Sequence, residues 1–349
     1  RPEDAVEVYR EVLDVDSHDA RAIDRLEELY TRLEWWNELL EIYQRKLETV
    51  DLPEERKDLL YVIAPLYEEQ LDQPYEAIAT YQDILELDPD ELAALENLSD
   101  LYEQTEQWHE LLEALEDQRE LVSLPDEKRG LHYEIGRLWE TELGDVLQAV
   151  EVYREILDEA PDHEPTRQAL AGMVERGEAE VEAAEVLYPI YEAAEEWEKL
   201  VGVEKLLIEA SHDPDRKLEL YREVGNIYEE EIGDQVAAFE NYLEALEVAP
   251  GREQLLETLE RLAAELEGWD IVIDRFDDVL AEAADFAVVL ELNRRIGRIL
   301  EEEIGDLPGA IERYEEALEV EPEHPQVTEA LDRLYQEENE WEKLADILQ

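Results

Sequence analysis

Six side chains recur in the second half of the chain where they could hold another molecule: Arg222, Asn226, Arg261, Arg294, Arg298 and Arg333. Asn226, Arg261, Arg298 and Arg333 follow one another at intervals of 35 to 37 residues. Arg222 and Arg294 each precede a member of that series by four, which puts both side chains on one face of a helix. A ladder of guanidinium groups in a chain so poor in basic residues suits an anionic or carbonyl-rich peptide, in a groove between about Glu219 and Gln336. The same arginines have a second use, since each can neutralise a Glu on an adjacent helix. Both readings stay open at this level.

Other chemistry is hard to find. The six histidines, His18, His109, His132, His163, His212 and His324, include no two at a metal-ligand spacing on a helix, and His18, His163 and His324 fall in turns. There is no Gly-rich phosphate loop, nucleophile elbow, HExxH or EF-hand loop. With 99 Asp and Glu, close carboxylate pairs arise by chance and nominate no general acid and base. The absence of Cys removes disulfides, thiolate ligands and thiol nucleophiles. The expectation is a non-enzymatic protein with no catalytic residue, no cofactor and no metal.

Charge narrows the partners. Against those 99 acids stand 30 Lys and Arg, a net charge of -69 at pH 7. Such a surface repels phosphate backbones and anionic headgroups, so direct nucleic-acid binding is not expected. No apolar run approaches the roughly 18 to 20 residues that span a bilayer, and no membrane insertion is expected. Aromatic residues at 8% set the chain apart from a disordered acidic tail. The expectation is a soluble, cytoplasmic protein, with secretion of a longer parent left open.

The elements that must position the ladder are repeats. Trp36, Trp108, Trp197, Trp269 and Trp341 are separated by 72, 89, 72 and 72 residues, and Tyr9, Tyr81, Tyr153, Tyr242 and Tyr314 by 72, 72, 89 and 72. One insertion of 17 residues accounts for both series. Pro53, Pro89, Pro125 and Pro161 halve the period to 36. Within a unit the apolar spacing is helical: Ala149, Val150, Tyr153, Ile156 and Leu157 form one stripe. Gly144-Asp145, Gly233-Asp234 and Gly305-Asp306 each place a glycine where one helix can end left-handed and an Asp where the next can be N-capped. Each 36-residue unit reads as two antiparallel helices. Prolines and glycines at this frequency exclude a continuous coiled coil.

At this point the residues resemble a known family. Residues 219–228, then Gly233-Asp234, Ala238, Tyr242, Ala245, Leu246 and Pro250, look like a tetratricopeptide repeat almost element by element, as do the segments ending at Pro161 and Pro322. Other units are degenerate, marked by Tyr30, Tyr102, Tyr191 and Tyr335 six residues before a Trp, with Ala263 in the remaining copy. The resemblance implies an all-α helical-repeat solenoid, a right-handed superhelix of antiparallel helix pairs whose first helices line a concave groove. Gly136, Gly225 and Gly297 on first helices let a neighbour approach closely, with Ala64 and Ser99 as small counterparts. In tetratricopeptide domains that grip a C-terminal carboxylate, the matching face carries cationic and Asn side chains, and Arg222 with Asn226 resembles half of that clamp.

One solenoid over 1–349 is expected, in super-repeats of approximately 1–72, 73–144, 145–233 with the insertion, 234–305 and a partial 306–349. The insertion is read as a helix from about Ala179 to Ala194. Neither end looks like a polar cap, which suggests a piece of a longer array or self-association through uncapped ends. The functional expectation is a protein-interaction scaffold that binds a partner segment in its groove. Two alternatives are an array stacking end to end and an acidic sink for basic proteins.

Overall fold

The computed structural model describes residues 2–338, 340 and 343. Trp341, the last landmark of the Trp series, lies outside them. The chain divides into two compact units, Arg1–Leu170 and Ala171–Gln349.

The first unit holds α1 (Pro2–Val15), α2 (Ala20–Leu33), α3 (Trp36–Thr49), α4 (Pro53–Pro65), α5 (Pro74–Leu87), α6 (Leu92–Gln104), α7 (Trp108–Leu121), α8 (Pro125–Thr141) and α9 (Val146–Glu159). The point of division falls in α10 (Glu164–Arg176). The second unit continues with α11 (Glu180–Ala193), α12 (Trp197–Ala210), α13 (Pro214–Asn226), α14 (Gln235–Ala245), α15 (Glu253–Leu266), α16 (Trp269–Glu282), α17 (Phe286–Ile299), α18 (Leu307–Val320) and α19 (Pro325–Glu338). From α1 to α9, and again from α11 to α19, each helix packs on its neighbours in sequence. No strand occurs among the described residues. The protein is an all-α helical-repeat solenoid, a stack stabilised by nearest-neighbour contacts.

The stripe on α9 is the core that its spacing predicts: Ala149, Val150, Tyr153, Ile156 and Leu157 are all buried. Sharp turns keep such stripes facing their neighbours. Gly144, Gly233 and Gly305 adopt φ of 71°, 78° and 81°, the left-handed region that lacks a steric penalty only for glycine. The Asp that follows each accepts a backbone N–H at the start of the next helix: Asp145 from Gln148 at 3.1 Å, Asp234 from Ala237 at 3.0 Å and Asp306 from Gly309 at 3.2 Å.

The Tyr that stands six residues before a Trp has a backbone explanation. The N–H of Trp35 donates to the Tyr30 carbonyl at 3.0 Å, and that of Gln107 to Tyr102 at 2.8 Å. Glu196 donates likewise to Tyr191 at 3.0 Å and Gly268 to Ala263 at 2.8 Å. These are six-to-one bonds closing a helix C-terminus around a left-handed residue. Here that residue is Glu34, Glu106, Glu195 or Glu267 rather than glycine.

Helices α4, α13 and α17 end in π turns at Leu66–Gln70, Ile227–Ile232 and Leu300–Ile304. In them a backbone N–H reaches back five residues, as Leu71 does to Leu66 at 3.1 Å and Gly305 to Leu300 at 2.8 Å. Between Pro161 and Trp197 the chain forms two helices, α10 and α11, and α11 runs over Glu180–Ala193 after Ala179 in a left-handed conformation (φ 45°). It lies within the helix expected from about Ala179 to Ala194.

Candidate peptide-binding groove

Helices α13, α14 and α15 enclose a groove of about 910 Å³. Its apolar lining comes from the buried residues Tyr242, Ala245 and Leu255 together with half-buried Leu218 and Tyr221. Both α13 and α15 are the first helices of their pairs, and α14 between them sits at the back.

The polar lining is close to charge-balanced, with Arg216, Arg222 and Arg252 against Asp213, Asp215, Glu219 and Glu253. Two of these arginines are engaged within the protein. Arg216 pairs with Glu219 at 2.7 Å, and Arg252, just before α15, crosses to Asp215 of α13 at 3.0 Å. Arg222 is exposed and makes no ion pair among the described residues. One turn along α13, Asn226 lines the same groove, its Oδ1 accepting from the Tyr242 hydroxyl at 3.2 Å. Burial, with Glu229 nearby, pushes that hydroxyl up to about 12 in spite of the Arg261 and Arg222 charges, so Tyr242 is a neutral hydrogen-bonding wall.

The remaining ladder residues face first helices as well, but with partners of their own. Arg261 reaches Glu229 of the preceding π turn at 2.7 Å and Glu265 of its own helix at 3.2 Å. Arg333 reaches Glu301, the residue equivalent to Glu229, at 2.5 Å. Arg298 pairs with Glu260 of α15, and Arg294 with Glu291 one turn earlier at 2.6 Å. The structure therefore brings Arg222 and Asn226 together in one groove and strings Arg261, Arg298 and Arg333 along the seams between first helices.

Spacing alone did not single out Arg295. It is 4% exposed, and it bridges Glu260 at 3.0 Å and Glu291 at 2.6 Å. Glu260 thus takes both Arg295 and Arg298, a charge-assisted cluster that ties α17 to α15. The usable sequence signal was an Arg next to a ladder member at a position that is Glu223 one super-repeat earlier.

Histidines are not gathered. His132 sits against Glu155 at 3.2 Å with burial lowering its pKa, and His163 contacts Thr166 at 2.8 Å. No group of three or more His, Asp or Glu among the described residues is arranged to hold a metal ion.

A tetratricopeptide-repeat profile matches residues 22–57, which cover nearly all of α2, all of α3 and the first turn of α4. Those are the elements whose capping and stacking recur through both units. Residues 22–57 thus carry a tetratricopeptide repeat. The match falls on the copy marked by Tyr30 and Trp36, one of the degenerate ones. Among solved structures, the chain is similar to YrrB, described as a TPR protein with an unusual peptide-binding site, at 21% identity over 48% of this chain and 82% of YrrB, with a TM-score of 0.31. It is also similar to MamA, at 16% identity over 50% of this chain and 97% of MamA, TM-score 0.32. A third is a tetratricopeptide repeat protein from Parabacteroides merdae, at 13% identity over 95% of this chain and 99% of that one, TM-score 0.31. No curated protein matches the chain. None of its described helices is long and apolar enough to cross a membrane.

Proposed function

We propose that this protein is a non-enzymatic interaction scaffold, and that the groove between α13 and α15 takes an extended segment of a partner protein. The observation that carries this reading is the state of Arg222. Among the described residues it is a cation with no ion pair, beside Asn226, over an apolar lining, in a chain with 99 acidic residues. A guanidinium with no internal partner can bond a carboxylate or a run of peptide carbonyls, and the apolar lining supplies area for one or two side chains next to that contact. The partner segment is accordingly anionic or carbonyl-rich at one point and apolar beside it. YrrB, with its peptide-binding site, is consistent with such a role without specifying the ligand.

The paired arginines Arg261, Arg294, Arg298 and Arg333 widen the same proposal only if a partner carboxylate exchanges with their Glu. Arg222 needs no exchange, and it is where binding energy is expected first. Screening the full chain against an immobilised peptide library with free and amidated C-termini identifies a binding segment, and variants then test the site. Arg222→Glu should weaken that peptide tenfold or more, about 1.4 kcal/mol or greater, while a change at the exposed acid Glu312 should leave it unmoved. Equal effects of the two changes, or a library with no acid-containing or carbonyl-rich binder, would remove the groove as the site.

A further inference from the structure

Position 204 is a core slot that holds the wrong kind of residue. Its equivalents at the same 72- and 89-residue steps are Tyr43, Leu115 and Phe276, all buried. In α12 the slot is filled by Glu204, 1% exposed, whose Oε2 is buried without a hydrogen-bond partner. The surroundings do not repair this. From α11 it is faced by Glu192 and Tyr188, and from α13 by Glu223 and Arg216. The π turn at Ile227–Ile232 contributes Tyr228, whose ring takes Lys205 of α12 at 5.3 Å. The Tyr188 hydroxyl is committed to Glu223 at 3.2 Å, and Arg216 to Glu219 at 2.7 Å. One super-repeat later the corresponding layer is a salt bridge, Glu260 with Arg295, beside apolar Phe276. A bare carboxylate in such a place lacks donors and meets like charge, whereas a protonated carboxyl does not.

We propose that Glu204 is a proton-dependent latch between α11, α12 and α13: protonated, it seats in the apolar slot and closes the three helices on one another, and ionised, it drives that seam open. Burial first, then Glu223 and Glu192, push this carboxyl up to about 8 against the ordinary 4.5. The closed seam therefore keeps its proton where the open one releases it. Opening becomes easier as pH rises from the ordinary value to about 8, and the dependence levels off above that. Because α13 also carries Arg222 and Asn226, the latch governs how firmly one wall of the groove is held. It operates whether or not that groove takes a peptide.

Amide hydrogen exchange on the full chain between pH 5 and 9, corrected for intrinsic rates, tests the latch directly. Peptides from α12 and α13 should show an opening constant that rises about tenfold per pH unit up to about pH 7.5 and flattens beyond 8, while α17 and α18 stay level. Glu204→Gln and Glu204→Leu should each abolish that dependence, and the leucine variant controls for an amide that packs poorly. Glu223→Gln should keep it but move the plateau to lower pH. A wild-type seam no more pH-dependent than α17 and α18, or a dependence that survives in both Glu204 variants, overturns the latch.

Discussion

The ring of Tyr242 occupies the space that a side chain on Gly225 would need. A Cβ on Gly225 would stand 2.1 Å from Cζ of that ring, and the Tyr242 hydroxyl is held by Asn226. The relation repeats at Gly136 with Tyr153 and at Gly297 with Tyr314, where the nearest approaches are 2.4 and 2.8 Å. Glycine is present there because a first helix and a second helix meet through a buried aromatic. Gly225→Leu should overpack α13 against α14 and destabilise the protein by about 1 to 3 kcal/mol, read from the urea midpoint. Tyr242→Ala in the same background should recover part of the loss, since it vacates the contested volume. A neutral Gly225→Leu would mean that the two helices are not this close.

Arg295 gives a second prediction. Its guanidinium is almost fully buried between two carboxylates from different helices, and removing it leaves Glu260 and Glu291 facing each other with only the more exposed Arg294 and Arg298 to compensate. Breaking one member of a buried cluster is more damaging than never having had it, so Arg295→Ala should cost about 3 to 5 kcal/mol. Arg252, whose pair with Asp215 is exposed on both sides, should cost less than about 1 kcal/mol when changed to Ala. Chemical denaturation of the two variants in one buffer separates these cases. Similar costs would show that burial does not decide the worth of these pairs.

How much of this was legible in the sequence depends on which distances the spacing encodes. Trp and Tyr steps of 72 and 89 residues locate the helices, and Gly-Asp pairs locate their turns, because both are set by backbone conformation within a few residues. The glycines under Tyr153, Tyr242 and Tyr314 were legible for the same reason. Partner choice was not. Whether Arg298 meets Glu260 or a ligand is settled across 38 residues by the rotation of two helices, which a periodic pattern leaves free. The π turns and the left-handed glutamates were also hidden, since neither carries a distinctive residue type. Glu204 was readable in principle: aligning it with Tyr43, Leu115 and Phe276 exposes a carboxyl in an apolar column.

That carboxyl sets the sign of one pH effect on global stability. In the folded protein Glu204 titrates near 8 and in the unfolded chain near the ordinary 4.5, so between those values the unfolded state has lost a proton that the folded state retains. Its contribution is fully present below about pH 4.5 and is lost as pH rises through 8. At pH 7 the deficit is about 3 to 4 kcal/mol. Glu204→Leu should therefore stabilise the protein by that order at pH 7 and by much less at pH 4. A gain of equal size at both pH values would attribute the effect to apolar contact alone.

Salt should stabilise the whole chain. If every one of the 30 Lys and Arg were paired, 69 of the 99 acids would still lack a cation, so repulsion exceeds what the interhelical pairs can offset. Some of those pairs are exposed, as Arg252 with Asp215 and Arg10 with Glu38 are, and each is worth about 0 to 1 kcal/mol before screening. Screening weakens both effects, but the surplus like charges are more numerous and act over longer distances. Raising NaCl shortens the Debye length from ~30 Å at 0.01 M to ~8 Å at 0.15 M, which is below the span of one helix pair. The melting temperature, followed by circular dichroism at constant pH, should climb over that interval and flatten above it. A melting temperature that falls with added salt would mean that the cross-helix arginine pairs outweigh the net charge.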